Sequence, residues 1–117
     1  MQITNCRQAA VAASTIGDQT IIAAPGGAGS NIGTSGGLQA GDITVWGVNL
    51  EGAGANVLQF KSGATSIGGP VTLTAAGSTF GWTPSGVPYV KCAAGQALVL
   101  NLTTTGAITG TLYYTLG

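Results

Sequence analysis

The chain has no histidine, and its 117 residues include only three basic and three acidic side chains, two cysteines and one methionine. Charged residues make up 5% of it, against roughly 25% in an ordinary soluble domain. Each scarcity removes a class of function. Phosphate recognition needs clustered Lys and Arg, but Arg7, Lys61 and Lys91 are scattered and offset by Asp18, Asp42 and Glu51, so no nucleic-acid partner is expected. General acid–base catalysis draws on histidine or paired carboxylates. Here the three acids stand apart near strand ends or turns, and Asp42 reads as a turn residue after Gly41. The same lack of a base leaves Ser, Thr and Cys without activation, and the chain reads as a non-enzyme.

Metals and cofactors fare no better. Two cysteines and three separated acids fall short of a zinc ligand set, and neither a Walker nor a dinucleotide glycine fingerprint occurs. No cofactor or metal is expected. The longest apolar runs, such as Ile21–Ala24 and Leu98–Leu100, are far below the roughly 18 residues of a membrane-spanning helix, so no membrane partner is expected. The N-terminus has no basic stretch followed by a long apolar run, which points to synthesis in the cytoplasm. Cys6 and Cys92 are too distant in sequence for a CxxC motif. A reducing compartment favours two thiols, and a disulfide or intersubunit bond stays open as the alternative.

Glycine is abundant, at 21 residues, and alanine and threonine follow closely. Helix formers such as Glu, Lys, Arg and Met are few, while β-branched residues are many. Only Arg7–Ser14 could be claimed by a helix, and Val11 and Thr15-Ile16-Gly17 favour extended chain there. Alternation marks Asn56–Ser62, with Leu58 and Phe60 inward, and Ala97–Thr103, with Leu98, Leu100 and Leu102 inward. Further strands are read at Gln19–Ala24, Ile43–Leu50, Val71–Ala75, Thr79–Thr83, Tyr89–Cys92 and Ile108–Leu116. In Ile43–Leu50 the side chains Trp46, Val48 and Leu50 fall on one face and Ile43 and Val45 on the other, which suggests burial on both sides. Turn signals recur every 8–12 residues. The expected fold is all-β: one domain over residues 1–117, an antiparallel β-sandwich of the jelly-roll type with about eight strands, the immunoglobulin-like sandwich being second choice.

The segment Pro25–Gly41 holds seven glycines and no charge in 17 residues. It reads either as a surface insertion or as an arm that orders against a neighbouring chain through Ile32 and Leu38. Trp46 and Phe60 are expected in the core, while an exposed Trp or Tyr could stack on sugars. Scarce charge with no net charge favours association, so much of the surface is expected to be covered by copies of the chain or by a larger assembly. The candidate interface residues are Ile32, Leu38, Val48, Val99 and Tyr113.

The stretch from Ala53 to Gly117 resembles a family of small virion proteins of tailed bacteriophages. The resemblance lies in Ala55-Asn56-Val57-Leu58-Gln59-Phe60-Lys61-Ser62-Gly63-Ala64-Thr65-Ser66-Ile67-Gly68-Gly69-Pro70 and in Leu73-Thr74-Ala75-Ala76-Gly77. It continues in Ala93-Ala94-Gly95-Gln96-Ala97-Leu98-Val99-Leu100-Asn101-Leu102 and in Gly110-Thr111-Leu112-Tyr113-Tyr114. Where those proteins tend to carry an aromatic pair after the glycine near position 86, this chain has Val87-Pro88-Tyr89. The resemblance implies a jelly-roll decoration (cement) protein, a homotrimer on the outer capsid surface that bridges neighbouring major capsid protein subunits. A tail, neck or fibre component and a carbohydrate-binding module on the virion are the alternatives.

Overall fold

The computed structural model describes residues 6–24, 42–83 and 86–116. Among these residues the regular structure is entirely β. One sheet is built on β1 (Arg7–Ala13), β3 (Ile43–Gly52), β7 (Thr79–Trp82), β8 (Val90–Lys91) and β10 (Ile108–Leu116). The other is built on β2 (Gly17–Ile22), β4 (Asn56–Ser62), β5 (Thr65–Ser66), β6 (Val71–Leu73) and β9 (Leu98–Leu102). Every pairing is antiparallel.

The strand order identifies the fold. In the first sheet it is β1-β10-β3, with β7 and β8 both lying along the far edge of β3. In the second it is β2-β9-β4, with β5 and β6 both lying along the far edge of β4. Counting each interrupted edge as one strand gives eight, in orders 1-8-3-6 and 2-7-4-5. That is the two-Greek-key arrangement of a jelly roll. The edges are broken for local reasons. Between β5 and β6 the chain carries Gly68-Gly69-Pro70, which cannot continue a ladder. There the Gln59 side-chain amide donates to the Ile67 carbonyl at 2.9 Å and the Gly68 carbonyl at 3.2 Å, replacing missing strand pairing. Such short edges also resist pairing with foreign strands.

The core forms where the inner faces meet. Leu58, Phe60, Leu98, Leu100 and Leu102 from one sheet oppose Ile43, Val45, Leu50, Ile108 and Leu112 from the other, all fully buried. Each such side chain contributes roughly 1.5–3 kcal/mol relative to exposure. The segment Arg7–Ser14 is extended, as its β-branched flank indicated.

Strand β3 departs from the sequence reading. Tyr113 lies opposite Gly47 but Tyr114 lies opposite Val45, so Trp46 is an extra residue on β3. This β-bulge reverses the alternation. Ile43 and Val45 before it, and Val48 and Leu50 after it, therefore all enter the same core. The large apolar side chains of the run thus share one core, while on the other side Thr44 and Gly47 are also covered. Ile43–Val48 is therefore buried on both sides, and only Asn49 and Glu51 beyond it reach solvent. Trp46 is only half-buried rather than in the core, and its indole N–H donates to the Thr115 hydroxyl at 2.8 Å.

At one end of the sandwich a buried side chain holds three strands together. The Asn56 amide group donates to the carbonyls of Thr104 (3.1 Å) and Gly106 (2.9 Å), and its oxygen accepts from the N–H groups of Val57, Thr103 and Thr104. The β9–β10 turn is thereby fastened to β4, with the buried Asn56 donors and acceptor satisfied.

Candidate interaction surface

The two outer faces of the sandwich differ in chemistry. On the β2-β9-β4 sheet, Asp18, Asn101 and Gln59 form one rung and Thr20, Val99 and Lys61 the next. Lys61 Nζ sits 2.8 Å from an Asp18 carboxylate oxygen, and the Asn101 amide donates to the other oxygen at 2.7 Å. The Lys61 and Asn101 hydrogen bonds hold the Asp18 carboxyl below its ordinary value. This face is polar and internally matched.

The outer face of the β1-β10-β3-β7 sheet is small and nearly uncharged. Three rungs cross it: Ala12, Thr109, Glu51 and Thr79; then Ala10, Thr111, Asn49 and Gly81; then Gln8, Tyr113 and Gly47. Glu51 is the one charge on these rungs; at the β8 end of the same sheet follow Thr115, Thr44 and Lys91, whose ammonium is paired with Asp42. Beside Glu51 lies a hollow of about 310 Å³ bordered by Asn49, Thr79, Thr109 and Gly110. Gly110, with φ near 153°, lies directly on the Asn49 backbone, and a Cβ there would overlap the Asn49 carbonyl oxygen. Glycine inside a strand often marks such a close approach.

The end of the sandwich near Asp42 carries a second hollow of about 620 Å³, lined by Ser62, Ala64, Thr65, Lys91, Cys92 and Gln96 among others. Lys91 Nζ lies 2.9 Å from Asp42 and lowers that carboxyl below its ordinary value. Both cysteines are free thiols, Cys6 exposed and Cys92 buried. Burial pushes the Cys92 thiol up, and the Asp42 charge adds to this against a Ser62 hydrogen bond. A thiol raised in this way is a poor nucleophile. Among the described residues no group of three or more Cys, Asp or Glu side chains is placed to hold a metal ion.

A third feature is an aromatic edge. The Tyr89 ring meets Phe60 edge-on at 5.7 Å, Phe80 at 5.3 Å and Trp82 at 5.4 Å between centroids. Phe60 is in the core, but Trp82 is 38% and the neighbouring Val87 57% exposed. The Trp82 indole N–H donates to the Val87 carbonyl at 3.2 Å, which fixes the ring's orientation.

The interface candidates named from sequence are dispersed by this structure. Val48 is a correction: at 3% exposure it belongs to the core, because the Trp46 bulge turns it inward. Val99 is on an outer face, as its alternation implied, yet its neighbours leave it only 6% exposed. It offers little area to a partner. Tyr113 is half-buried on the outer face of the β1-β10-β3-β7 sheet. Ile32 and Leu38, with the whole 25–41 segment, lie outside the described residues. Asn49, Glu51, Thr79 and Thr109 were not singled out from sequence as a surface group, because only the register of three strands brings them together.

No protein-family model, curated protein or solved structure matches the chain.

Proposed function

We propose that the chain is a non-enzymatic virion structural protein: a head decoration protein that binds the outer surface of a phage capsid. In this reading it assembles as a homotrimer and stabilises the shell by bridging major capsid protein subunits. The observation that carries the reading is the outer face of the β1-β10-β3-β7 sheet. Its rungs hold mostly Ala, Thr, Gly, Asn and Gln, with the half-buried Tyr113, one carboxylate at Glu51 unpaired among the described residues and, at the β8 end, Lys91 already neutralised by Asp42. Small side chains let another surface approach the strands closely, and the near absence of charge keeps the desolvation cost of covering them low. The matched ion pair on the opposite sheet suits the solvent-facing side.

The mechanism is linkage. A protein that binds only the assembled shell stabilises that state, by about 2.7 kcal/mol per site at a free concentration one hundred times Kd. The test is to add the purified chain to undecorated capsids of the phage that encodes it. The expected result is saturable co-sedimentation and a rise in shell melting temperature. Absence of binding to the shell, with binding to tails instead, would favour a tail, neck or fibre role.

A second reading rests on the aromatic edge. Trp82, oriented by Val87 and backed by Tyr89, is a platform on which a sugar ring could stack. Quenching or enhancement of Trp82 emission by one class of oligosaccharide would support it, and a glycan array without hits would count against it.

A further inference from the structure

All six charged side chains lie among the described residues, and four of them are matched within the chain, as Lys61 with Asp18 and Lys91 with Asp42. Arg7 and Glu51 have no ionic partner among the described residues. They are of opposite sign and belong to the same sheet, at opposite ends of it. Arg7 stands opposite Tyr114 and Glu51 opposite Thr109 on the intervening strand β10. Five residues of β10 separate those rungs, roughly 17 Å, and two strand spacings add about 10 Å across the sheet. Within one chain the two groups are therefore too far apart to meet.

They also leave the sheet on different sides. Tyr114 is a core residue, so Arg7 shares the inner side of its rung, whereas Glu51 is exposed on the outer face with Thr109 and Thr79. A two-fold contact between identical outer faces would bring the two Glu51-bearing surfaces together without Arg7. A head-to-tail contact, in which the Arg7 end of one copy reaches the Glu51 face of the next, can match them. Contacts of that kind close into rings, trimers included.

We propose that Arg7 of one copy enters the Glu51 hollow of the next and that this pair sets the register of self-association. The hollow suits a guanidinium. Besides Glu51 it is bordered by Asn49, Thr79 and Thr109, residues whose side chains carry acceptor oxygens, around a space of about 310 Å³. Arginine presents five N–H donors in a planar fork able to use several acceptors at once. The occupant is a second copy because this chain supplies the missing cation as well as the unmatched anion, and its net charge is zero. The pair contributes register and specificity, with the small side chains around it supplying the close contact.

The inference rests on the self-association contained in the decoration reading, and it is tested on the purified chain alone. Sedimentation velocity and light scattering at micromolar concentration compare wild type with Arg7→Glu, Glu51→Arg and the double exchange, with circular dichroism verifying that each is folded. Wild type is expected to associate. Each single reversal weakens association about tenfold or more, and the double exchange recovers it to within about twofold. The neutral variants Arg7→Gln and Glu51→Gln fall between. A wild-type oligomer indifferent to the single reversals, or a double exchange no better than either single, overturns the contact and leaves self-association standing. A monomeric wild type overturns both.

Discussion

The side-chain amide of Asn56, on the first residue of β4, donates to the backbone carbonyl of Gly106 at 2.9 Å, 50 residues later in the chain. The same side chain meets Thr103 and Thr104, so one buried polar group ties the β9–β10 turn to the other sheet strand beside it. Removing it takes the side-chain partner from the Thr104 and Gly106 carbonyls and from the Thr104 N–H in a part-buried turn. Asn56→Leu is therefore expected to lower stability by about 3 kcal/mol, read as a reduced denaturation midpoint. A cost below about 0.5 kcal/mol would mean that those backbone groups find other partners.

Gly110 offers a second test of the framework. Its backbone touches that of Asn49, and there is no room for a methyl group. Gly110→Ala must spread β10 from β3 and is expected to cost about 3 kcal/mol, with a loss of thermal stability. Gly69→Ala, where a Cβ meets nothing within 4 Å and φ is ordinary, should be within about 0.5 kcal/mol of wild type.

The pH profile of stability follows from four groups. The carboxyls of Asp18 and Asp42 are lowered by Lys61 and Lys91 respectively. A depressed carboxyl stabilises the fold above its unfolded pKa, and that stabilisation is lost as pH falls through the folded value, below about pH 4. The Cys92 thiol and the Tyr89 phenol are raised by burial. Their stabilisation is present below the unfolded values and is lost as pH rises through the folded ones, above about pH 9. With no histidine to titrate between them, melting temperature should be flat from about pH 5 to pH 8. Thermal melts across pH 2–11 would reveal a departure as a step near neutrality.

The thiols should differ in reactivity. Cys6 is exposed, whereas Cys92 is buried and its thiol lies 3.8 Å from the Ala97 carbonyl. Under native conditions an alkylating reagent should label Cys6 first, and Cys92 only on unfolding. Mass spectrometry of peptides after brief labelling checks this. Equal labelling of both would indicate that the Asp42 end of the sandwich opens readily.

Several elements were legible because their information is local. Leu98, Leu100 and Leu102 alternate without interruption, as do Leu58 and Phe60, and each series lies in the core. The β3 strand shows where local reading fails. A bulge is a relation between two strands, and nothing in Ile43–Leu50 alone states that Trp46 is the extra residue. Local alternation therefore puts Val48 at an interface and Trp46 in the core, whereas the bulge buries Val48 and leaves Trp46 half-buried. Alternation gives the face of Val99, but its coverage by flanking side chains depends on two other strands. The Glu51 hollow is also non-local, since it depends on the register of β10 and β7 with β3. Its one sequence signal was Gly110, a glycine within an otherwise continuous strand.

Cryo-electron microscopy of phage particles assembled with and without this chain tests the decoration proposal most directly. The decoration reading predicts jelly-roll density repeated over the outside of the head, with the β1-β10-β3-β7 face covered by shell or neighbouring copies and the Asp18–Lys61 face toward solvent. A few copies confined to the tail or neck, or head density with the β1-β10-β3-β7 face fully open to solvent, would contradict it.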